Sequence, residues 1–152
     1  MVILKKGDKA PAFAATDQDG NPVSLKDYTG KKVILYFYPA DDTPTCTTEA
    51  CNLRDNYADL TGKGYEVLGV SSDSEKSHLK FIGKYNLPFR LVSDPDHKVA
   101  TAFGVYDWKK FMGREFIGIH RTTFVIDGKG EIEKVIEKVV SKKHTEQIFE
   151  TT

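Results

Sequence analysis

The run "VILYFYPA", Val33 to Ala40, is the longest mostly apolar stretch of the chain. It falls far below the ~18 residues of a membrane span and has the length of a buried strand. Together with Lys32 it is β-branched and aromatic and ends at Pro39, so it reads as the central strand of a sheet. The segments after it alternate in type. A helix is expected from about Thr43 to Thr61, because Ala50, Leu53, Tyr57 and Leu60 recur at helical steps and Gly62 is a plausible stop. "YEVLGVSSD" reads as a second strand. "SEKSHLKFIGKYN" reads as a second helix, with Ser74 and Ser77 as cap candidates and Leu79 and Ile82 on one side. "FRLVSD" is a short third strand and "HKVATAFGV" a short helix. Then "FIGIHRTTFVID" and "EIEKVIEKV" flank Gly128-Lys129-Gly130 as a hairpin, and "KHTEQIFETT" closes the chain as a helix. Upstream, "FAATDQDGNPVSL" reads as a hairpin around Asp19-Gly20-Asn21-Pro22.

This order predicts an α/β fold in three layers, with a central mixed sheet and an N-terminal β-hairpin. The parallel part should cross over right-handed. No repeat or linker interrupts the 152 residues, so 1–152 is expected to be one domain. Lys+Arg and Asp+Glu are both 22, which argues against nucleic acid or an anionic membrane as the main partner. "MVILKKGDKAP" lacks the apolar core of ~7–15 residues that a signal peptide needs, so the expected compartment is the cytoplasm. A reducing compartment disfavours a permanent disulfide and turns attention to what two cysteines do there instead.

Those two, Cys46 and Cys51, both lie in "DDTPTCTTEAC", just past the carboxyl end of the central strand, where open α/β sheets gather function. With Thr43 as N-cap, Pro44 falls at the first helical position and Cys46 at the third. A sulfur there meets unpaired backbone N–H groups at the positive end of the helix, which favours an exposed thiolate and lowers its pKa from the free value near ~8.5. Asp41 and Asp42 oppose this if they face the sulfur, so a nearby cation is expected. On an ideal helix the Cys46 and Cys51 Cα atoms are roughly 8.7 Å apart. A disulfide needs about 4.4–6.8 Å. The two therefore never bond, or the start of the helix unwinds when they do. "TCTTEAC" carries three threonines, mediocre helix formers. Oxidation of a low-pKa thiolate to a sulfenic acid, followed by condensation with a second thiol, uses such an arrangement.

"PADDTPTCTTEACNLRD" resembles the active-site segment of the peroxiredoxins, specifically the bacterioferritin comigratory protein or peroxiredoxin Q group, with Pro39, Thr43 and Cys46 in the family register and Cys51 five residues on. "FGVYDWKKFMGREFIGIHRTTFVID" resembles the later segment of that group, with Arg121 at its arginine, and "GDKAPAFAATDQDGNPVSLKDYTGKKVILYFYP" resembles its opening. The resemblance implies a thioredoxin-like fold and a thiol-dependent peroxidase acting on hydrogen peroxide and organic hydroperoxides. It implies Cys46 as the peroxidatic thiolate and Cys51 as the resolving thiol. Thr43 would hydrogen-bond the sulfur and a peroxide oxygen, Arg121 would be the expected cation, Pro39 would shield the pocket, and Glu49 would orient the helix or Arg121. It further implies thioredoxin or a similar dithiol as reductant, no metal or organic cofactor, and a monomer; no large exposed apolar strip is marked in the sequence. A zinc site is disfavoured because His78, His97, His120 and His144 are scattered. Thioredoxin-type exchange is disfavoured because it wants Cys-x-x-Cys. A non-enzymatic chaperone or binding module on the same fold is the alternative function.

Overall fold

The structure, a computed structural model, describes residues 3–150. β1 (Ala15–Asp17) and β2 (Pro22–Val23) form the expected N-terminal hairpin. Asp17 Oδ1 accepts the N–H groups of Asp19 and Asn21, and Gly20 takes φ 79° to close the turn. β3 (Lys32–Phe37) leads to α1 (Pro44–Asp55) and α2 (Tyr57–Gly62), then β4 (Tyr65–Ser71), α3 (Glu75–Tyr85), β5 (Arg90–Ser93) and α4 (Lys98–Ala102). β6 (Tyr106–Phe111), β7 (Arg114–Ile119), β8 (Thr122–Ile126), β9 (Ile132–Ile136) and α5 (His144–Phe149) complete it. The main sheet has the order β2-β1-β5-β4-β3-β8-β9. β3 is parallel to β4 and β4 to β5, while β8 runs antiparallel to β3 and β9 to β8. This is the predicted mixed sheet.

Alternation along β3 builds the three layers. Val33, Leu35 and Phe37 enter one core with Val99, Phe103 and Phe124. Ile34, Tyr36 and Tyr38 enter the other with Cys46, Ala50, Leu53, Phe81 and Ile148. Every side chain from Val33 to Tyr38 is therefore buried.

Several expectations are corrected. The helix from Thr43 to Thr61 is two helices, broken at Asn56 (φ −111°, ψ 12°). The Asn56 amide donates back to Asn52 O at 2.8 Å, a local bond of the kind that competes with helix continuation. Gly62 ends α2 as a helical residue, and Gly64, at φ 86°, makes the left-handed turn into β4. In α3 the cap is Ser74, whose Oγ accepts from Ser77 N at 3.1 Å; Ser77 itself turns to Asp41. The buried face of α3 carries His78 and Phe81, while Leu79 is exposed. "FIGIHRTTFVID" is two strands rather than one, interrupted at His120 and Arg121. Its first half pairs with β6 in a separate two-stranded ribbon. Met112 and Gly113 both take positive φ at its tip, as a primed hairpin turn demands, but Met-Gly is a weak turn signal in sequence. The ribbon exposes Trp108, Phe111, Met112, Phe116 and Ile117, an apolar strip that the sequence reading did not mark. The closing helix is shorter than expected, and Thr151 and Thr152 lie outside the described residues. Among the described residues no helix is long and apolar enough to cross a membrane.

Gly69 stands opposite Tyr36 in the β3–β4 register. A Cβ there would lie 2.7 Å from Leu91 Cδ2 and 2.8 Å from Tyr36 Cζ. Gly69→Ala should therefore overpack the core beneath α1 and destabilise the protein by ~1–3 kcal/mol, read as a lower urea midpoint at unchanged slope.

Candidate active site

Thr43 is the N-cap of α1 with extended backbone (φ −92°, ψ 156°), and Pro44 opens the helix. Cys46 is thus in the first turn, as predicted, but its burial is a correction: it is 1% exposed, not an open surface thiol. α1 turns Cys46, Glu49, Ala50 and Leu53 inward, and this stripe packs on Tyr36 and Tyr38 of the sheet. The Thr43 hydroxyl donates to Ala40 O at 2.9 Å, closing the loop before the helix rather than bonding the sulfur. Pro39 is exposed at the exit of the central strand.

The two acidic residues before the helix turn away from the sulfur. Asp41 accepts from Tyr38 Oη at 2.6 Å and from Ser77 Oγ at 2.8 Å, and pairs with His78 Nδ1 at 2.8 Å. Asp42, in left-handed backbone at φ 56°, accepts from Lys84 Nζ and Tyr85 Oη, both at 2.7 Å. Lys84 and Tyr85 hold the Asp42 carboxyl below its ordinary value. Both carboxylates are thus committed to α3. Ligand atoms of Asp41, Asp73 and His78 lie within 4.8 Å of one another, the spacing of a cation site. Asp73 Oδ2, however, already accepts from Asp41 N at 2.7 Å and Ser71 Oγ at 2.7 Å, so the cluster works as a hydrogen-bond hub.

The expected cation is Arg121, from the link between β7 and β8, 75 positions from Cys46. Its Nη2 donates to Cys46 Sγ at 3.1 Å and its Nη1 to Glu49 Oε1 at 2.6 Å. Partial burial opposes the Arg121 charge, but Glu49 and Cys46 more than offset this and keep it a cation. The fork therefore places positive charge against the sulfur. Glu49 is fully buried, and burial pushes its carboxyl up to about 7 despite Arg121. Beyond Glu49 lies His144 of α5, also fully buried, with Nε2 3.4 Å from Glu49 Oε2 and 2.8 Å from Thr123 Oγ1. Burial first, and Arg121 after it, lower His144 to about 4, against a raising bond from Gln147.

The structure thus brings Cys46, Arg121 and Glu49 together and leaves Pro39 and Thr43 at the rim. Cys51 is half-buried one turn further along α1, and both thiols are free. His144 and Thr123 were missed as site residues. No local pattern marks them, since α5 and β8 bring them to Glu49 from distant parts of the chain.

The AhpC/TSA family model matches residues 6–135. A protein of Escherichia coli named peroxiredoxin Bcp is 46% identical over 98% of this chain and 96% of its own length. The peroxiredoxin Bcp of Bacillus subtilis is 46% identical over 99% of this chain and 96% of its own. Among solved structures, the peroxiredoxin Q of Xanthomonas campestris superposes with a TM-score of 0.86 at 32% identity, covering 97% of this chain and 93% of that one.

Removing the cation should make the Cys46 sulfur a poorer nucleophile. In a Cys51→Ser background at neutral pH, Arg121→Ala should slow iodoacetamide alkylation of Cys46 by roughly ten- to a hundredfold, in line with the ~1.5–3 kcal/mol of a charged hydrogen bond. Arg121→Lys, a point charge without the fork, should fall between the two. An unchanged rate in Arg121→Ala would remove Arg121 from this role.

Proposed function

The chain belongs to the AhpC/TSA family, among the peroxiredoxins of the Bcp and peroxiredoxin Q group, and is a thiol peroxidase; from that premise we propose that Cys46 is its peroxidatic thiolate and Cys51 its resolving thiol. The observation that carries the first assignment is the 3.1 Å contact from Arg121 to the Cys46 sulfur at the start of α1. Family membership implies a peroxide as substrate and a thioredoxin-type dithiol as reductant. The Xanthomonas campestris bacterioferritin comigratory protein is described by its alkyl peroxide reduction activity, which supports extending the substrate class here to organic hydroperoxides.

In this mechanism the Cys46 thiolate attacks the terminal peroxide oxygen, the O–O bond breaks, and a sulfenic acid forms with release of water or an alcohol. Arg121 stabilises the sulfur before attack and the charge on the leaving oxygen after it. Thr43, exposed at the rim with its hydroxyl proton on Ala40 O, meets the peroxide as an acceptor or after that bond breaks, and Pro39 limits solvent at the same edge. Cys51 then condenses with the sulfenic acid to a disulfide, and the dithiol reductant restores both thiols.

The wound helix holds the two Cα atoms roughly 8.7 Å apart by its own geometry, too far for a bridge. The start of α1 must open. Its anchors favour opening between two fixed points. Upstream, Asp41 and Asp42 hold the loop to α3. Downstream, Asn52 holds α1 to the C-terminal segment: its Nδ2 donates to Lys142 O at 2.9 Å, and its Oδ1 accepts from Thr145 N at 2.8 Å. Cys51 is the last residue before that second anchor. The stretch between them carries the threonines at 45, 47 and 48, whose helix propensity is modest. We read the protein as one cytoplasmic domain over 1–152 that acts as a monomer, without nucleic-acid or membrane partners.

Cys46→Ser should abolish peroxide consumption coupled to thioredoxin; full residual turnover would defeat the assignment. Cys51→Ser should still consume one equivalent of peroxide and hold Cys46 as a sulfenic acid trapped by dimedone, but should not turn over. Normal recycling of that variant would show another resolving route.

A further inference from the structure

The peroxidase reading leaves two buried groups beside Arg121 unused, Glu49 and His144. Their hydrogen bonds define where a proton sits. Gln147 Oε1 accepts from Val140 N at 2.9 Å, and Gln147 Nε2 donates to Lys138 O at 2.8 Å, which fixes the orientation of that amide. His144 Nδ1 faces the same Oε1 at 3.1 Å, so Nδ1 carries the ring proton. In the neutral ring Nε2 then accepts from the Thr123 hydroxyl at 2.8 Å. Glu49 Oε2 lies 3.4 Å from that nitrogen and has no hydrogen-bond partner, although the residue is fully buried. An ionised Glu49 would set a carboxylate oxygen against the lone-pair side of Nε2. A proton on Oε2 turns the contact into an attraction, sharing with the nearer Thr123 hydroxyl the one lone pair of that nitrogen.

Charge balance leads to the same atom. Arg121 bridges Cys46 and Glu49 in a largely buried site, where uncompensated charge is costly. While the sulfur is a thiolate, it neutralises Arg121 and Glu49 is best neutral. Once the sulfur is a sulfenic acid it carries no charge, and Glu49 is best ionised.

Resting on the peroxidase reading, we propose that Glu49 is the proton store of the reaction, protonated at Oε2 when Cys46 is a thiolate and ionised once Cys46 is a sulfenic acid, with His144 as the residue that positions it. In the step, the sulfur attacks the terminal oxygen of ROOH. The S–O bond forms, the O–O bond breaks, the sulfur is oxidised and the peroxide reduced, and RO⁻ leaves. The alkoxide takes up one proton to become ROH, and Glu49 releases one. The net charge of Cys46, Arg121 and Glu49 together is zero before and after.

The ionisation tendencies agree: burial raises Glu49 to about 7 and lowers His144 to about 4, so between these values the proton stays on the carboxyl. Among the other groups facing Glu49, only Cys46 could take that proton, and the step starts from the state in which Cys46 is a thiolate. From α1 there is Cys46, from the β7–β8 link the permanent cation Arg121, and from β8 the uncharged Thr123. From β3 there is Tyr36, whose phenol burial holds well above its usual value, with Glu49 and Cys46 adding to the effect.

The test is an infrared difference spectrum of the Cys51→Ser protein at about pH 6, before and after one equivalent of hydrogen peroxide, with the oxygen added to Cys46 measured by mass. The expected result is loss of one protonated-carboxyl C=O band and gain of carboxylate bands per sulfur oxidised. Both changes should be absent in Cys51→Ser with Glu49→Gln. In the Cys51→Ser protein itself they should fade as the starting pH is raised through about 7, where Glu49 has already ionised. His144→Gln, which offers Oε2 an N–H donor, should move that fading to lower pH. Oxygen gained at Cys46 without a carboxyl change, or a change that survives Glu49→Gln or ignores pH, overturns the proposal. No oxygen gained at Cys46 overturns the peroxidase reading, and the proposal falls with it.

Discussion

The Arg121 guanidinium, held between the Cys46 sulfur and the Glu49 carboxyl, is the contact on which the site depends. A cysteine at a helix start already meets a favourable field from the backbone, but that field is shared along the whole first turn. Arg121 makes it specific to one atom. It can do so because the strand expected to run unbroken through "FIGIHRTTFVID" is interrupted where His120 and Arg121 stand. Arg121 is thereby released from the ladder and turned under α1. The interruption and the ion pair are two descriptions of the same local structure.

Burial gives this cluster its chemistry and its cost. Cys46 and Glu49 are almost fully enclosed, so each change of charge on one is felt by the other through Arg121. In an open site, water would screen these charges and Glu49 would remain an ordinary carboxylate. The enclosing layer is the core that holds Tyr36, Tyr38, Leu53 and Ile148. A tight core beneath the helix and a helix start that can open are opposed requirements. In the proposed reaction Asp41 and Asp42 on one side and Asn52 on the other bound the span that opens, and the Arg121 contacts to Cys46 and Glu49 must let go as it does.

Much of this was legible before any coordinates. The buried run of β3, the alternating order of elements and the terminal hairpin follow from patterns two to four residues long, which local chain geometry makes readable. The position of Cys46 at the start of α1 is equally local, set by Thr43 and Pro44. Errors arose where distant partners override local preference. His78, which the sequence marks only as one of four scattered histidines, is buried because Asp41, 37 positions away, gives it a partner. Leu79 reads as core and is exposed because that face of α3 has nothing to cover it. The β6–β7 ribbon was missed because Met112 and Gly113 make a primed turn without the usual Asn-Gly.

Local pattern determined the layered sheet, the helix that begins just before Cys46, and the distance that keeps Cys46 and Cys51 apart while that helix is wound. Motif spacing, through resemblance, pointed to Arg121 as the cation. Only the tertiary structure decided that Cys46 is enclosed rather than open, that Asp41 and Asp42 turn to α3, and that Glu49 meets His144 in the interior. The reason is physical: whether a charge is buried, and which atom answers it, depends on elements that meet only when the chain has closed on itself.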